Sequence, residues 1–231
     1  MRINRYLAKE GVATRRGVDE LIEKRRIYIN GRVAVLGDKV NEKDVVEVRG
    51  AGKPTTYKYF AYHKPKGVIT HSPQEGEEDI KGKTRKFAEL ADTFPIGRLD
   101  KSSHGLIVLT NDGRVTDRLL SPTYDHDKEY AVVVREPLRD SFKKYMEAGV
   151  DIEGYVTKKC RVDITGERTF RITLTEGKKH QIRRMVEALH NQVVDLKRVR
   201  ILNIALETLP ANAYRPIEGA ELEAFLKTLG L

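Results

Sequence analysis

The residues best placed to do chemistry lie in three separated segments. The first runs from Pro95 to Gly113, P-I-G-R-L-D-K-S-S-H-G-L-I-V-L-T-N-D-G, with Arg98 and Asp100 at alternate positions ahead of the apolar run Leu106–Thr110. A loop held on a strand is where reactive side chains are commonly displayed. A polar turn before a hairpin has the same spacing. The second segment, E-G-K-K-H-Q-I-R-R-M (176–185), predicts a strand end broken at Gly177 and then a helix. The polar side of that helix would carry Lys179 and Arg183 one turn apart, with His180 and Arg184 beside them. An ordinary basic amphipathic helix looks the same. The third is Lys128-Glu129-Tyr130, at the start of an apolar strand where a tyrosine is usually a packing residue. Singly, none of the three establishes an enzyme.

Other chemistries are absent as motifs. There is no GxxxxGK[ST] phosphate loop and no GxGxxG fingerprint. Six histidines and one cysteine are scattered without the close pairing of a zinc site, so no metal is expected. Cys160 follows Lys158 and Lys159, which could lower a thiol pKa, but a lone cysteine in a strand is more often simply packed.

The elements that must position these segments fall into two groups. Residues 1–50 read as helix–helix–hairpin. Ile3, Tyr6 and Leu7 form one apolar stripe ending at Gly11. Thr14 is an N-cap candidate ahead of Val18, Leu21 and Ile22. Arg15, Arg16, Lys24, Arg25 and Arg26 flank that second stripe, and Gly17 falls inside the helix at a cost of ~1 kcal/mol. Asn30-Gly31 joins two apolar runs as a two-residue hairpin turn would, and Val45, Val46 and Val48 supply a third strand. The polar stretch 50–56 reads as a linker.

Beyond it, strands are expected at Tyr59–Tyr62, Leu106–Thr110, Tyr130–Val134, Phe170–Thr175 and Val199–Ile204. Helices are expected near 179–190 (Ile182, Met185, Val186, Leu189) and at the end of the sequence (Leu222, Phe225, Leu226, Leu229). Strands and helices do not alternate regularly, which favours α+β over a doubly wound parallel sheet.

Charge is uneven along the 231 residues, whose formal net charge is +9. Residues 1–58 hold 14 Lys/Arg against 8 Asp/Glu, and the rest hold 29 against 26. A quarter of the chain thus carries two-thirds of the excess, which favours a polyanion partner. No apolar run approaches the ~20 residues of a membrane span. The start MRINRYLAKEG lacks the apolar stretch of a secretory signal. With a single cysteine, a reducing, cytoplasmic setting is expected.

Together and in this order, the segments resemble the ribosomal small-subunit-type family of pseudouridine synthases. GRLDKSSHGLIVLTNDG (97–113) resembles that family's catalytic loop, KEY (128–130) its active-site tyrosine motif, and EGKKHQIRRM (176–185) its basic motif. HKPKG (63–67) resembles the Lys-Pro segment that opens the catalytic domain. The N-terminal unit is similar to the S4-like RNA-binding domain that commonly precedes it. DHDKEY and GYVTKKC (125–130 and 154–160) further resemble the branch acting on large-subunit ribosomal RNA, with a tRNA sometimes a second target. The SSH before Gly105 departs from the family's usual acidic-Ser-polar sequence and bears on fine substrate preference.

The resemblance implies an S4-like domain at 1–52, a linker at 53–58, and a catalytic domain at 59–231 with a mixed, largely antiparallel sheet and flanking helices. It implies isomerisation of a uridine in structured RNA, foremost 23S ribosomal RNA, by a monomer without cofactor or metal. Action on tRNA is the alternative, and a non-catalytic ribosome-associated protein a further one. Asp100 would be the reacting carboxylate, by attack on C1′ or through a glycal. Arg183 would be the guanidinium that keeps it charged and oriented. Tyr130 would stack the base, its hydroxyl near C5. Arg98 would fill the gap left by the flipped uridine. Lys64, Lys179, His180, Arg184, Arg15 and Arg16 would contact the RNA.

Overall fold

A computed structural model describes residues 1–10, 12–41, 44–49, 56–71, 73–121 and 124–231. The expected helix stop at Gly11 and residues 50–55 of the expected linker lie outside them.

The N-terminal unit consists of α1 (Ile3–Lys9), α2 (Arg15–Glu23), β1 (Ile27–Ile29), β2 (Arg32–Val33) and β3 (Val46–Val48). Ile3 and Leu7 from α1 meet Val18 and Ile22 from α2 over Ile27 and Ile29, and all six are buried. Asn30 and Gly31 both have positive φ, 50° and 79°, the backbone of the tight hairpin that Asn-Gly favours. Thr14 caps α2 through its hydroxyl, which accepts from the Gly17 amide at 3.0 Å. Gly17 is therefore in the capped first turn, and the mid-helix cost expected for it does not apply in full. The third strand starts one residue later than expected, and Val45 is exposed.

The larger unit is one mixed sheet. In chain order its elements are β4 (Tyr59–Lys64), α3 (Ile80–Thr84), β5 (Phe94–Ile96), β6 (His104–Thr110), α4 (Arg114–Leu120), β7 (Lys128–Val134) and α5 (Phe142–Ala148). There follow β8 (Arg161–Gly166), β9 (Thr169–Leu174), α6 (Gln181–Ala188), β10 (Val193–Ile201), β11 (Ile204–Ala205), β12 (Tyr214–Pro216) and α7 (Gly219–Thr228). Across the sheet the order is β12-β4-β6-β10-β7-β9-β8, with β5 also on β6 and β11 also on β10. The β6–β10 pair is parallel and the other pairings are antiparallel.

Period-two burial sorts the two faces. Tyr59, Ala61, Leu106 and Val108 face one way, against Val115 and Leu119 of α4, Phe225 of α7 and Leu229 just past its end. Phe60, Tyr62, Ile107 and Leu109 face the other. On the β7–β9 half, α5 and α6 cover Val132, Phe170 and Ile172. Burial of such side chains contributes about 1.5–3 kcal/mol each. A buried polar knot holds the end of β6: the Asp112 carboxylate accepts from Tyr59 Oη at 2.6 Å and from Arg114 Nε at 2.9 Å and Nη2 at 2.8 Å. Next to it, Gly113 lies so close to the Ala8 carbonyl that a Cβ would not fit, and there the N-terminal unit docks.

Two expected elements are corrected. The strand expected at Val199–Ile204 crosses a turn at Leu202, which has φ 51°; β10 ends at Ile201, and β11 folds back on it. The helix expected from 179 begins at Gln181. Gln181 closes the preceding turn itself, its amide donating to Lys178 O at 3.1 Å and its side-chain oxygen accepting from Lys178 N at 2.9 Å. Lys179 and His180 are in that turn, so Lys179 does not share a helical face with Arg183.

One row of side chains crosses the sheet on a single face: Lys64 opposite Gly105, Gly105 opposite Arg198, Arg198 opposite Tyr130, and Tyr130 opposite Ile172. Gly105 has φ 108°, and a Cβ there would strike the Arg198 backbone. Lys64 is fully buried, and desolvation first of all pushes its pKa down to about 8, with Asp100 opposing and Arg198 assisting.

Gly105→Ala should therefore destabilise the fold by about 1–3 kcal/mol through strain and overpacking, read as a lower denaturant midpoint at unchanged slope. Lys64 gives a pH signature. Below pH 8 it is charged in both folded and unfolded chains, and the full cost of burying the ammonium is present. Above that the folded chain releases its proton first, so the cost is relieved up to the unfolded value near 10.5. Wild-type stability relative to Lys64→Met should rise by on the order of 3 kcal/mol from pH 7 to 10.5. A flat difference in denaturant titrations over that range would contradict the burial of a charged Lys64.

Candidate active site

Asp100 lies between β5 and β6, on a stretch whose backbone is held from several sides. Thr70 Oγ1 donates to Leu99 O at 2.9 Å and accepts from Leu99 N at 3.0 Å. Gly67 N, in the turn after Lys64-Pro65, donates to Lys101 O at 2.7 Å. Ser103 N donates to Asp100 O at 3.0 Å. Arg198 reaches up from the sheet, Nη1 donating to Arg98 O at 3.4 Å. The backbone is fixed on both sides of Asp100, while its carboxylate stays open, with a side-chain exposure of 39%. Its one described neighbour within ion-pair distance is His180, whose Nε2 is 3.4 Å from Oδ1. His180 has φ 53° and ψ 27°, left-handed backbone that a non-glycine residue adopts at a cost.

Arg183 does not pair with Asp100 as expected. Its guanidinium donates to Val193 O at 3.3 Å, Ser102 O at 3.4 Å and Ser103 Oγ at 3.3 Å. The reason is geometric: with α6 starting at 181, Arg183 faces carbonyls at the end of the Asp100 loop and the start of β10, and His180 takes the place beside the carboxylate. Tyr130 is half-buried between the two cores on that face, in the row with Arg198 and Lys64. Arg98 is exposed at the mouth of the loop. His71 has its pKa lowered by burial first, then by the charge of Arg98 and then of Arg16. Arg16, from the N-terminal unit, therefore sits near the loop that carries Asp100. Arg15 and Lys179 are exposed.

One expected RNA contact, Lys64, is corrected, and Arg184 is engaged within the protein. Lys64 is buried, its Nζ donating to Pro65 O at 2.9 Å and Val68 O at 2.6 Å, so it shapes the Lys-Pro turn from inside. Arg184 is held by Ile152 O and Glu153 Oε2, both at 2.7 Å, because α6 presents it to the 152–153 loop. Cys160 lies just before β8 rather than in a strand, and it is partly buried. Its thiol donates to Met146 O at 3.1 Å, and burial raises its pKa to about 11. His104, of the unusual SSH, turns to the opposite face of the sheet. It meets Asp195 Oδ2 at 2.9 Å and His63 Nε2 at 3.3 Å, away from Asp100.

Sequence reasoning passed over Arg198, Thr70 and Ser103. The stretch Lys197-Arg198-Val199-Arg200 between Leu196 and Ile201 carries three charges, and its sequence does not say which of them is buried. Among the described residues no cluster of His, Cys, Asp and Glu is arranged to hold a metal ion, and no helix is long and apolar enough to cross a membrane.

The arrangement holds one open carboxylate on a braced backbone, with Lys64 and Arg198 buried beneath it and Tyr130 in their row on the sheet. Comparisons with known proteins identify the family. The RNA pseudouridylate synthase family matches residues 58–188, and the S4 domain matches residues 1–46. A dual-specificity RNA pseudouridine synthase, RluF, of Salmonella typhi is 40% identical over 99% of this chain and 79% of its own length. Ribosomal large subunit pseudouridine synthase B of Bacillus subtilis is 34% identical, with 96% of each chain covered. A crystal structure of a pseudouridylate synthase superposes with a TM-score of 0.71 at 26% identity, covering 99% of both chains. With its reaction domain and its S4 domain both matched, the chain belongs to the RNA pseudouridine synthases, enzymes that isomerise uridine in RNA.

Proposed function

We propose that this enzyme acts on a uridine of large-subunit ribosomal RNA, with Asp100 as the reacting carboxylate. The observation that carries the assignment is the contrast at Asp100: a backbone braced at Arg98, Leu99, Asp100 and Lys101, and a side chain left open. Isomerisation breaks N1–C1′, turns the base and joins C5 to C1′. It moves no electrons to an acceptor and imports no group, so a carboxylate held against the ribose is the central requirement. Asp100 attacks C1′ or assists loss of the C2′ proton. Tyr130, on the face that carries Arg198, offers its ring to the base and its hydroxyl to the proton that leaves C5. Arg183 serves the reaction by holding Ser102 and Ser103 at the end of the loop. His180 is the ring beside the carboxylate before RNA enters.

Large-subunit ribosomal RNA as substrate is supported by the relative from Bacillus subtilis, whose name specifies that subunit. The basic side of α2, with Arg15 and Arg16, is suited to phosphates, so that the fold of the RNA is read before its bases. A cytoplasmic location follows from that substrate.

Asp100→Asn keeps shape and hydrogen bonding but removes the charge. It should bind RNA and form no pseudouridine when incubated with unmodified ribosomal RNA. Product formed by this variant at the parent rate would sink the assignment; with the parent enzyme on total unmodified RNA, product confined to the tRNA fraction would overturn the ribosomal reading. For binding, Arg15→Gln with Arg16→Gln should lower the slope of log affinity against log salt by ~0.7–0.9 for each phosphate that is no longer neutralised. An unchanged slope would remove α2 from the RNA interface.

A further inference from the structure

Arg198 is 3% exposed, in the central row of the sheet, with a donor directed to each end of the Asp100 loop. Its Nε donates to Leu106 O at 2.7 Å, just past Gly105, and its Nη1 to Arg98 O at 3.4 Å, two residues before Asp100. Its Nη2 is buried without a hydrogen-bond partner. Around it are further positive charges. It lowers the pKa of Lys128, after burial as the main cause, and that of buried Lys64.

For folding alone this is a poor choice of residue. Its described partners are both carbonyls, so among the described residues no carboxylate is bonded to the buried guanidinium, and an apolar side chain of similar volume often serves stability as well or better. The two bonds it does make join the points where the loop leaves and re-enters the sheet. Gly105 completes the fit, because only a residue without a side chain lets β6 lie so close to the Arg198 backbone.

We propose that Arg198 is a positioning residue for the reaction, a two-ended clamp that fixes the span of the loop carrying Asp100. It acts through the loop backbone and does not touch the uridine. The proposal rests on the reading of Asp100 as the reacting group. A carboxylate displaced by about 1 Å can lose about 100-fold in rate while the surrounding RNA contacts are untouched.

The test is single-turnover pseudouridine formation on one RNA substrate by the full chain, with RNA affinity and thermal midpoint measured for each variant. Arg198→Met should bind RNA like the parent and react about 100-fold more slowly. Free guanidinium should restore part of that rate, and methylammonium at equal ionic strength should not. Arg198→Lys, with the charge but no fork, should react at an intermediate rate. The idea is overturned if Arg198→Met reacts at the parent rate, or if its loss follows the loss of folded protein and guanidinium restores nothing. Should the methionine variant not fold, Arg198→Lys at the parent rate overturns it equally. Asp100→Asn run alongside separates the two readings. An active asparagine variant removes Asp100 as the reacting group, whereas an inactive one beside a fully active Arg198→Met removes the clamp alone.

Discussion

The site depends first on how the backbone around Asp100 is held. A loop of this length would ordinarily sample many conformations, and each residue fixed costs about 1–2 kcal/mol of conformational entropy. Here Thr70 and Gly67 bond it from one side, Arg198 from below, and Arg183 from α6. These donors come from segments far apart in the chain, so the loop is set only when the sheet and α6 are assembled. The ordering cost is met in folding, before RNA arrives. The proposed carboxylate can then stay exposed without being mobile.

The second constraint is the sheet beneath. β6 and β10 make its parallel pairing, in the middle of the order, and Gly105 is where they approach most closely. That approach brings Arg198 under the loop and lines it up with Lys64 on one side and Tyr130 on the other. Buried cations in an apolar layer weaken the fold, as the depressed pKa of Lys64 reports. The remaining apolar packing bears that cost: the opposite face, closed by α4 and α7, is built from aliphatic and aromatic side chains. Basic residues beneath the loop suit a protein whose substrate is a polyanion.

The two units divide the work without being independent. The N-terminal unit has its own apolar core, and Gly113 lets it lie against the end of β6. Through that contact Arg16 comes near enough to Arg98 for both to act on His71. Positive charge thus stands on α2 and on the Asp100 loop alike, which favours electrostatic attraction of RNA before any base is examined.

Local physics was legible in the residues. Period-two and period-3.6 patterns located the strands Tyr59–Tyr62, Leu106–Thr110, Tyr130–Val134 and Phe170–Thr175 and the helices around Ile182 and Phe225, because burial on one face imposes those periods on any chain. Thr14 and Asn30-Gly31 marked a cap and a turn, since both are decided by neighbouring atoms. The motifs around Asp100, Tyr130 and His180–Arg183 identified the family. What remained hidden was long-range. Whether Lys64 faces water or the interior, whether Arg183 meets Asp100 or the carbonyls of Ser102 and Val193, and whether Arg198 is a surface charge or a buried clamp all depend on which strands become neighbours. The bonds of Arg183 to Ser102 and of Arg198 to Arg98 join residues 81 and 100 positions apart, and Lys64 is buried where β4 pairs with Gly105 of β6. The side-chain types alone do not encode such partners, because a guanidinium can donate to a carboxylate or to a carbonyl, and only the tertiary fold decides which is within reach.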